Sequence, residues 1–214
     1  MHDSARQSDR RDRRRVAARL DFRPDLRAAR FAPYDAAELP LPAGDLWVFG
    51  YGSLMWDPGF AVAQARPARL YGYHRRLCLW SVHYRGTAEQ PGLVLGLDRG
   101  GSCNGMAMRV DRRQAAAAAA YLVEREMLNN AYAPAVKRIY PRGMRDGVEA
   151  LTFVSRRAHP QFARPLELGQ IVAVVREAAG AGGRNRDYVL NTARHLSALS
   201  IERTELHAVA EKLR

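Results

Sequence analysis

The sequence predicts an α+β domain in which a small antiparallel or mixed β-barrel, or a strongly curved sheet, is flanked by helices. Three observations lead there. Short apolar runs closed by glycine or turn residues recur between Leu46 and Val110, a strand pattern rather than a helical one. Six consecutive alanines at 115–120 mark a strong helix. Three further helical patterns end the chain, and no internal repeat is visible. At 214 residues and 24.0 kDa, with 47% hydrophobic and 26% charged residues, the chain is long enough for one well-filled core.

Residues 1–45 read as a basic arm and connector, and residues 46–214 as the folded unit. Phe31 to Gly44 is Pro- and Ala-rich without a period and is expected to wrap the surface. Leu46-Trp47-Val48-Phe49, closed by Gly50 and Gly52, reads as a buried strand ending in a tight loop. Asp57-Pro58 reads as the start of a short helix that Arg66-Pro67 ends. Strands are expected over Arg69 to Val82 and Leu93 to Leu97. A turn at Asp98-Arg99-Gly100-Gly101 then leads to a returning strand, Met106 to Val110. Asp111 with Gln114 resembles a capping box for the alanine helix, expected to run to about Asn129.

Two more strands, Ala135 to Pro141 and Val148 to Arg156, flank the polar turn 142–147. The closing helices are expected at Glu167 to Ala179, stopped by Gly180, at Asn185 to Leu199 with Asn185 as cap, and at Thr204 to Leu213 with Thr204 as cap. Trp47, Trp56 and Trp80 read as core rather than as stacking platforms.

The formal net charge is +12, which raises a nucleic-acid or acidic-partner reading. Ten Arg against five Asp fall in residues 1–30, however, so much of the excess sits in an arm that reads as a solvated tail. Binding through that arm is the weaker alternative. No apolar run approaches the roughly 18 residues of a membrane span, and the Arg-rich start lacks the apolar segment of a secretory signal. The expected location is cytoplasmic. Cys78 and Cys103 form no C-x-x-C pair and read as reduced, packed thiols. The histidines at 2, 74, 83, 159, 195 and 207 lack metal-ligand spacing, so neither metal nor cofactor is expected.

Two features could carry chemistry. Gly50-Tyr51-Gly52-Ser53-Leu54 follows a buried strand, where backbone N–H groups can be left to face an anion. The dinucleotide fingerprint fails, because Met55 stands where the third glycine belongs. Ser53 also lacks the G-x-S-x-G spacing of a nucleophile elbow. On pattern alone a plain tight turn is the better reading. Glu126 shares a helical stripe with Ala115, Ala118 or Ala119, and Leu122, which places a carboxylate on the core-facing side. It is either neutralised by a partner such as Arg125 or Arg138 or tuned as an acid/base; the residues alone favour the salt bridge.

Several blocks, in order, resemble the ChaC branch of the γ-glutamylcyclotransferases. They are Trp47 to Trp56; Arg85-Gly86-Thr87 with Pro91 to Leu97; Gly101 to Ala107; Tyr121-Leu122 with Arg125-Glu126 and then Tyr132; and Gly180, Gly182, Gly183, Asn185 and Tyr188. The resemblance runs from about 46 to the C-terminus. It implies a metal-free enzyme that cleaves glutathione to 5-oxoproline and Cys-Gly by attack of the γ-glutamyl α-amine on its own γ-carbonyl. Glu126 is the implied acid/base, and Val48, Phe49, Gly50, Tyr51, Gly52, Ser53, Leu54 and Tyr132 the implied substrate-binding residues. The nucleophile would belong to the substrate, so no Ser or Cys nucleophile is needed. One departure is Val82-His83-Tyr84, where some members carry Thr-Asp-His; other γ-glutamyl peptides or amines are therefore the alternative substrates. Arg85 is a candidate for the distal glycine carboxylate, against the plainer reading of a surface arginine. His83 reads as a hydrogen-bonded strand histidine.

Overall fold

The computed structural model describes residues 44–214 together with 34, 35, 38, 39, 41 and 42; the Arg-rich arm and most of the connector lie outside the described residues. Five strands close into a barrel in the order β1-β3-β2-β4-β5. They are β1 (Leu46–Gly50), β2 (Gln64–Ser81), β3 (Gly92–Val110), β4 (Tyr132–Pro141) and β5 (Val148–Ser155). Neighbours pair antiparallel except β1 and β5, whose parallel contact at Val48 and Leu151 closes the ring. The expected α+β architecture with a small mixed barrel is the one observed.

β1 is apolar on both faces because it is covered on both. Phe49 points into the barrel with Leu70, Leu77, Leu93 and Leu97. Val48 and Leu46 instead meet helix α1 (Ala115–Glu126) through Ala115, Ala118, Ala119 and Leu122. Small side chains let this helix lie close to the strand. Helices α2 (Leu168–Glu177), α3 (Asn185–Ala198) and α4 (Glu205–Leu213) pack on the barrel core through Ile171, Val175, Val189, Leu196, Leu206 and Val209. Between α2 and α3 runs a short hairpin of β6 (Ala179–Gly180) and β7 (Gly183–Arg184).

Several sequence expectations are corrected. No helix follows Asp57-Pro58: residues 57–63 cross α1 without regular structure, and Arg66-Pro67 lies inside β2 opposite Ala107 and Met106. Gly59 explains this. It has φ 73°, and a Cβ there would meet the Tyr121 hydroxyl at 2.0 Å. Nor does the chain reverse at Asp98 to Gly101. β3 continues through that segment and bends with β2, where Gly72, Gly100 and Gly101 take positive φ and the pairing shifts between Tyr71 and Tyr73. Asp98 is buried and ties this bend to Arg76 at 2.9 Å and to Arg157 at 2.6 Å.

Asp111 and Gln114 form no capping box. The Asp111 carboxylate accepts from Arg109 at 2.9 Å, a short 3-10 turn over Arg112–Gln114 starts α1, and the helix ends at Glu126. Thr204 does cap α4, with His207 completing a capping box. Trp80 is buried as expected, whereas Trp47 and Trp56 are half-buried and only packed against the core.

Asn185 is not the cap of α3, which is Arg184. It is fully buried, accepting from the Leu93 N–H at 2.7 Å and donating to the Leu93 carbonyl at 2.8 Å. The side-chain amide thus completes the backbone pairing of β3 where Gly92 enters it. Replacing Asn185 by Leu leaves both Leu93 groups without partners. The expected loss is about 2–4 kcal/mol, a fall in melting temperature on the order of 5–15 °C. An unchanged thermal melt would contradict this account of the α3–β3 junction.

Candidate active site

The loop after β1 is shaped by close packing at Gly50. A Cβ there would meet Met108 Cε at 2.9 Å and Leu54 Cβ at 3.2 Å. A 3-10 turn over Ser53–Met55 follows, closed by Met55 N–H to Gly52 O at 3.0 Å. Two arginines hold this loop from opposite elements. From β2, Arg75 Nε donates to the Tyr51 carbonyl at 2.5 Å, and its terminal nitrogen donates to the Asn104 carbonyl at 2.6 Å. From α1, Arg125 donates to Ser53 Oγ at 2.9 Å and to the Asp57 carbonyl at 2.8 Å. Trp56 stacks on His195 of α3 with ring centroids 4.3 Å apart and planes within 5°.

Glu126 is the last residue of α1 and projects beside this clamp. Its side chain is 17% exposed, and Oε1 lies 3.5 Å from Arg125 Nε. Burial pushes its pKa above the ordinary 4.5, while the Arg125 charge pulls it back. Both readings of Glu126 thus meet at one residue: it is paired with Arg125 and also perturbed. Arg138, the other suggested partner, sits on β4 opposite Glu149. Glu124, off the apolar stripe, is exposed.

Three phenols surround the carboxylate. Tyr132 donates its hydroxyl proton to the Leu95 carbonyl at 2.6 Å, and the Leu95 N–H donates to the Tyr188 hydroxyl at 3.2 Å. Tyr51 acts on Tyr132 as a further hydrogen-bond partner. Burial is the first cause raising the pKa of each phenol, and the Glu126 charge adds to it. Tyr188 is pushed up to about 12, and Tyr51 and Tyr132 well above their ordinary 10. All three therefore stay protonated near neutral pH. They serve as dipoles and donors, which leaves Glu126 as the carboxylate among them, its pKa raised by burial.

Tyr51, Gly52, Ser53, Leu54, Glu126 and Tyr132 are thereby gathered around one place. Val48 and Phe49 are not available to a ligand: both are 0% exposed and fill the core. Their part is to anchor the loop, aided by the bond from Thr152 Oγ1 to the Phe49 carbonyl at 3.0 Å. The proton of Tyr132 is committed to Leu95, so toward the loop it presents lone pairs rather than a donor. Tyr188 has the complementary disposition, its hydroxyl oxygen accepting a hydrogen bond from the Leu95 N–H and its own proton left to donate.

Arg75 and the loop-holding role of Arg125 were not evident from the sequence. The signal for Arg75 was a charged pair, Arg75-Arg76, directly before the apolar run Leu77 to Trp80. His83 is exposed in the 82–91 loop rather than in a strand, edge-on to Tyr84. Arg85 donates to the Gly182 carbonyl and covers the Tyr188 ring at 5.2 Å. The same loop is pinned to the β6–β7 hairpin by Ala181 N–H to His83 O and Gly182 N–H to Tyr84 O, both 2.8 Å. Cys78 and Cys103 are buried thiols with raised pKa, Cys78 at about 11, chiefly through burial. Among the described residues no group of three His, Cys, Asp or Glu could hold a metal ion, and no helix is long and apolar enough to cross a membrane.

A family profile described as ChaC-like protein matches residues 46–213. The chain belongs to the ChaC-like family. It is 32% identical over 161 residues to the glutathione-specific γ-glutamylcyclotransferase of Escherichia coli K12, covering 74% of this chain and 68% of that protein. It is 31% identical over 185 residues to the human glutathione-specific γ-glutamylcyclotransferase 1, covering 84% and 83%. The fold is that of the yeast γ-glutamyl cyclotransferase specific to glutathione. A crystal structure of that enzyme aligns with TM-score 0.72 at 19% identity, over 79% of this chain and 96% of that one. The family members named here are enzymes, and the barrel with its flanking helices is the γ-glutamylcyclotransferase fold.

A carboxyl whose folded pKa is raised favours the fold while protonated, and that contribution is lost as pH rises through the folded pKa. Glu126 is such a group. The Glu126→Gln variant is therefore expected to melt at or above the wild-type temperature at pH 7, with the difference narrowing as pH approaches 4.5. A clear loss of stability at pH 7 would mean that the Glu126–Arg125 pair outweighs the burial of charge.

Proposed function

We propose that this protein cleaves glutathione to 5-oxoproline and Cys-Gly, with Glu126 as the acid/base. The observation that carries the reading is the setting of Glu126: a mostly buried carboxylate of raised pKa beside a clamped loop and three protonated phenols. The names of the bacterial and human relatives support glutathione as the substrate.

The substrate supplies the nucleophile. Its α-amine attacks its own γ-carbonyl carbon, forming the ring C–N bond, and the C–N bond to cysteine then breaks. At neutral pH the amine arrives as an ammonium and ends as the ring N–H, so it gives up two protons. The Glu126 carboxylate takes one before attack and returns it to the cysteine nitrogen as that C–N bond breaks. It then takes the second from the ring nitrogen and passes it to the freed amine, which leaves as an ammonium. The proton balance closes on a single residue. Ring closure is intramolecular, and holding the γ-glutamyl group curled gives access to effective molarities of about 10⁵–10⁸ M. Holding falls to the loop: N–H groups from Gly52 to Leu54 face the substrate's charged end or the oxyanion that develops at the γ-carbonyl. Tyr188, with its own proton available, is the donor on the opposite wall. Neither step requires the thiols, which burial keeps protonated.

The test is product analysis by mass spectrometry on glutathione and, separately, on γ-Glu-Ala. Wild type is expected to release 5-oxoproline from glutathione, and Glu126→Gln to lose about 10²–10⁴-fold in kcat while still binding substrate. Turnover by Glu126→Gln at the wild-type rate would remove Glu126 from the mechanism. Release from γ-Glu-Ala and not from glutathione would move the activity to other γ-glutamyl compounds.

A further inference from the structure

β2 carries two adjacent buried arginines with opposite electrostatic circumstances. Arg76 is 6% exposed and is paired with Asp98 at 2.9 Å. Arg75 is 8% exposed, and its partners are all neutral: the Tyr51 carbonyl, the Asn104 carbonyl and, at 3.9 Å, Met55 Sδ. Among the described residues no carboxylate pairs with it. The ionisable groups acting on it are a thiol and two phenols, Cys103, Tyr51 and Tyr188. A buried cation without a counter-charge is costly. A cost of that kind at the foot of a ligand loop points to a charge that arrives with the ligand.

Peptide geometry says where that charge is felt. The described backbone has no cis bonds, so the Gly52 N–H points opposite to the Tyr51 carbonyl. Arg75 holds that carbonyl, and the Gly52 N–H is turned to the other side, where it has no acceptor among the described residues. The bond to Arg75 also polarises the peptide, which strengthens this N–H as a donor. Arg125 lies further along the loop, at Ser53 and Asp57, and already faces Glu126. Arg75 faces no such anion.

We propose that Arg75 is the positioning residue for the α-carboxylate of the γ-glutamyl substrate, fixing the Tyr51–Gly52 peptide so that its N–H meets the carboxylate and placing a positive charge behind it. The assignment rests on the γ-glutamyl reading above. It makes the charge of the α-carboxylate, not merely its shape, a condition for tight binding. It also separates two tasks: Arg75 serves ground-state binding, and Glu126 serves proton transfer.

The test compares glutathione with the same tripeptide bearing a primary amide in place of the γ-glutamyl α-carboxylate. Cys-Gly release is common to both substrates and is measured for wild type, Arg75→Gln and Arg75→Lys, with thermal melts as the check on folding. Wild type is expected to prefer glutathione by about tenfold or more in kcat/KM. Arg75→Gln is expected to lose most of that preference, mainly through a higher KM for glutathione, and Arg75→Lys to retain it. A purely structural role would depress both substrates alike. If wild type releases neither Cys-Gly from glutathione nor alanine from γ-Glu-Ala, the γ-glutamyl reading itself fails; if only γ-Glu-Ala is cleaved, the same comparison is made between it and its α-amide. If wild type is active but accepts the amide equally well, the Arg75 assignment is overturned, whether or not a variant folds. It is likewise overturned if Arg75→Gln keeps the preference. Should Arg75→Gln not fold, Arg75→Met takes its place with the same expected outcome.

Discussion

The site depends on holding one short loop between two guanidinium groups. Arg75 grips the Tyr51 carbonyl from inside the barrel, and Arg125 grips Ser53 and Asp57 from α1. Charge-assisted bonds to backbone carbonyls are strong where water is excluded. The barrel provides that exclusion. Its closure through the β1–β5 contact buries Val48 and Phe49 completely and fixes where β1 ends. Gly50 and Gly105 let the end of β1 approach the interior of β3, since a Cβ at Gly105 would lie 2.3 Å from the Gly50 carbonyl.

Because Arg125 and Glu126 are adjacent on one helix, the residue that clamps the loop also tempers the carboxylate. Burial raises the Glu126 pKa and Arg125 opposes the rise. The balance suits a group that must both accept and return a proton. The phenols around it are raised by the same burial, which removes them as competing bases. Tyr132, Leu95 and Tyr188 form a hydrogen-bonded chain in which the Leu95 carbonyl accepts from the Tyr132 hydroxyl and the Leu95 N–H donates to the Tyr188 hydroxyl. The long β3 strand thus orients the far wall of the site.

Much of this was legible in the sequence, and the parts that were not share a physical reason. β1 followed from its continuous apolar run, because it is covered on both faces, and the alanine helix with the stripe ending at Glu126 followed from helical periodicity, because it buries one face. The 98–101 turn was misread because Gly-Gly serves a bulge as readily as a hairpin, and only the register shift at Gly72 on the partner strand decides between them. Asn185 was misread as a cap because its partner, Leu93, lies 92 residues away. Arg75 was missed for the same reason, its acceptors being on β1's loop and β3. Long-range partners of polar side chains leave no periodic trace.

The central claim is that burial tunes Glu126 for proton transfer against the pull of Arg125. The most direct measurement is the pH dependence of kcat/KM for glutathione in wild type and Arg125→Met, read from the midpoint of the acid limb rather than from absolute rate. The account predicts a wild-type midpoint above 4.5 and a further upward movement when the Arg125 charge is removed. A midpoint at or below the ordinary carboxylate value, or one that fails to rise in Arg125→Met, would contradict it.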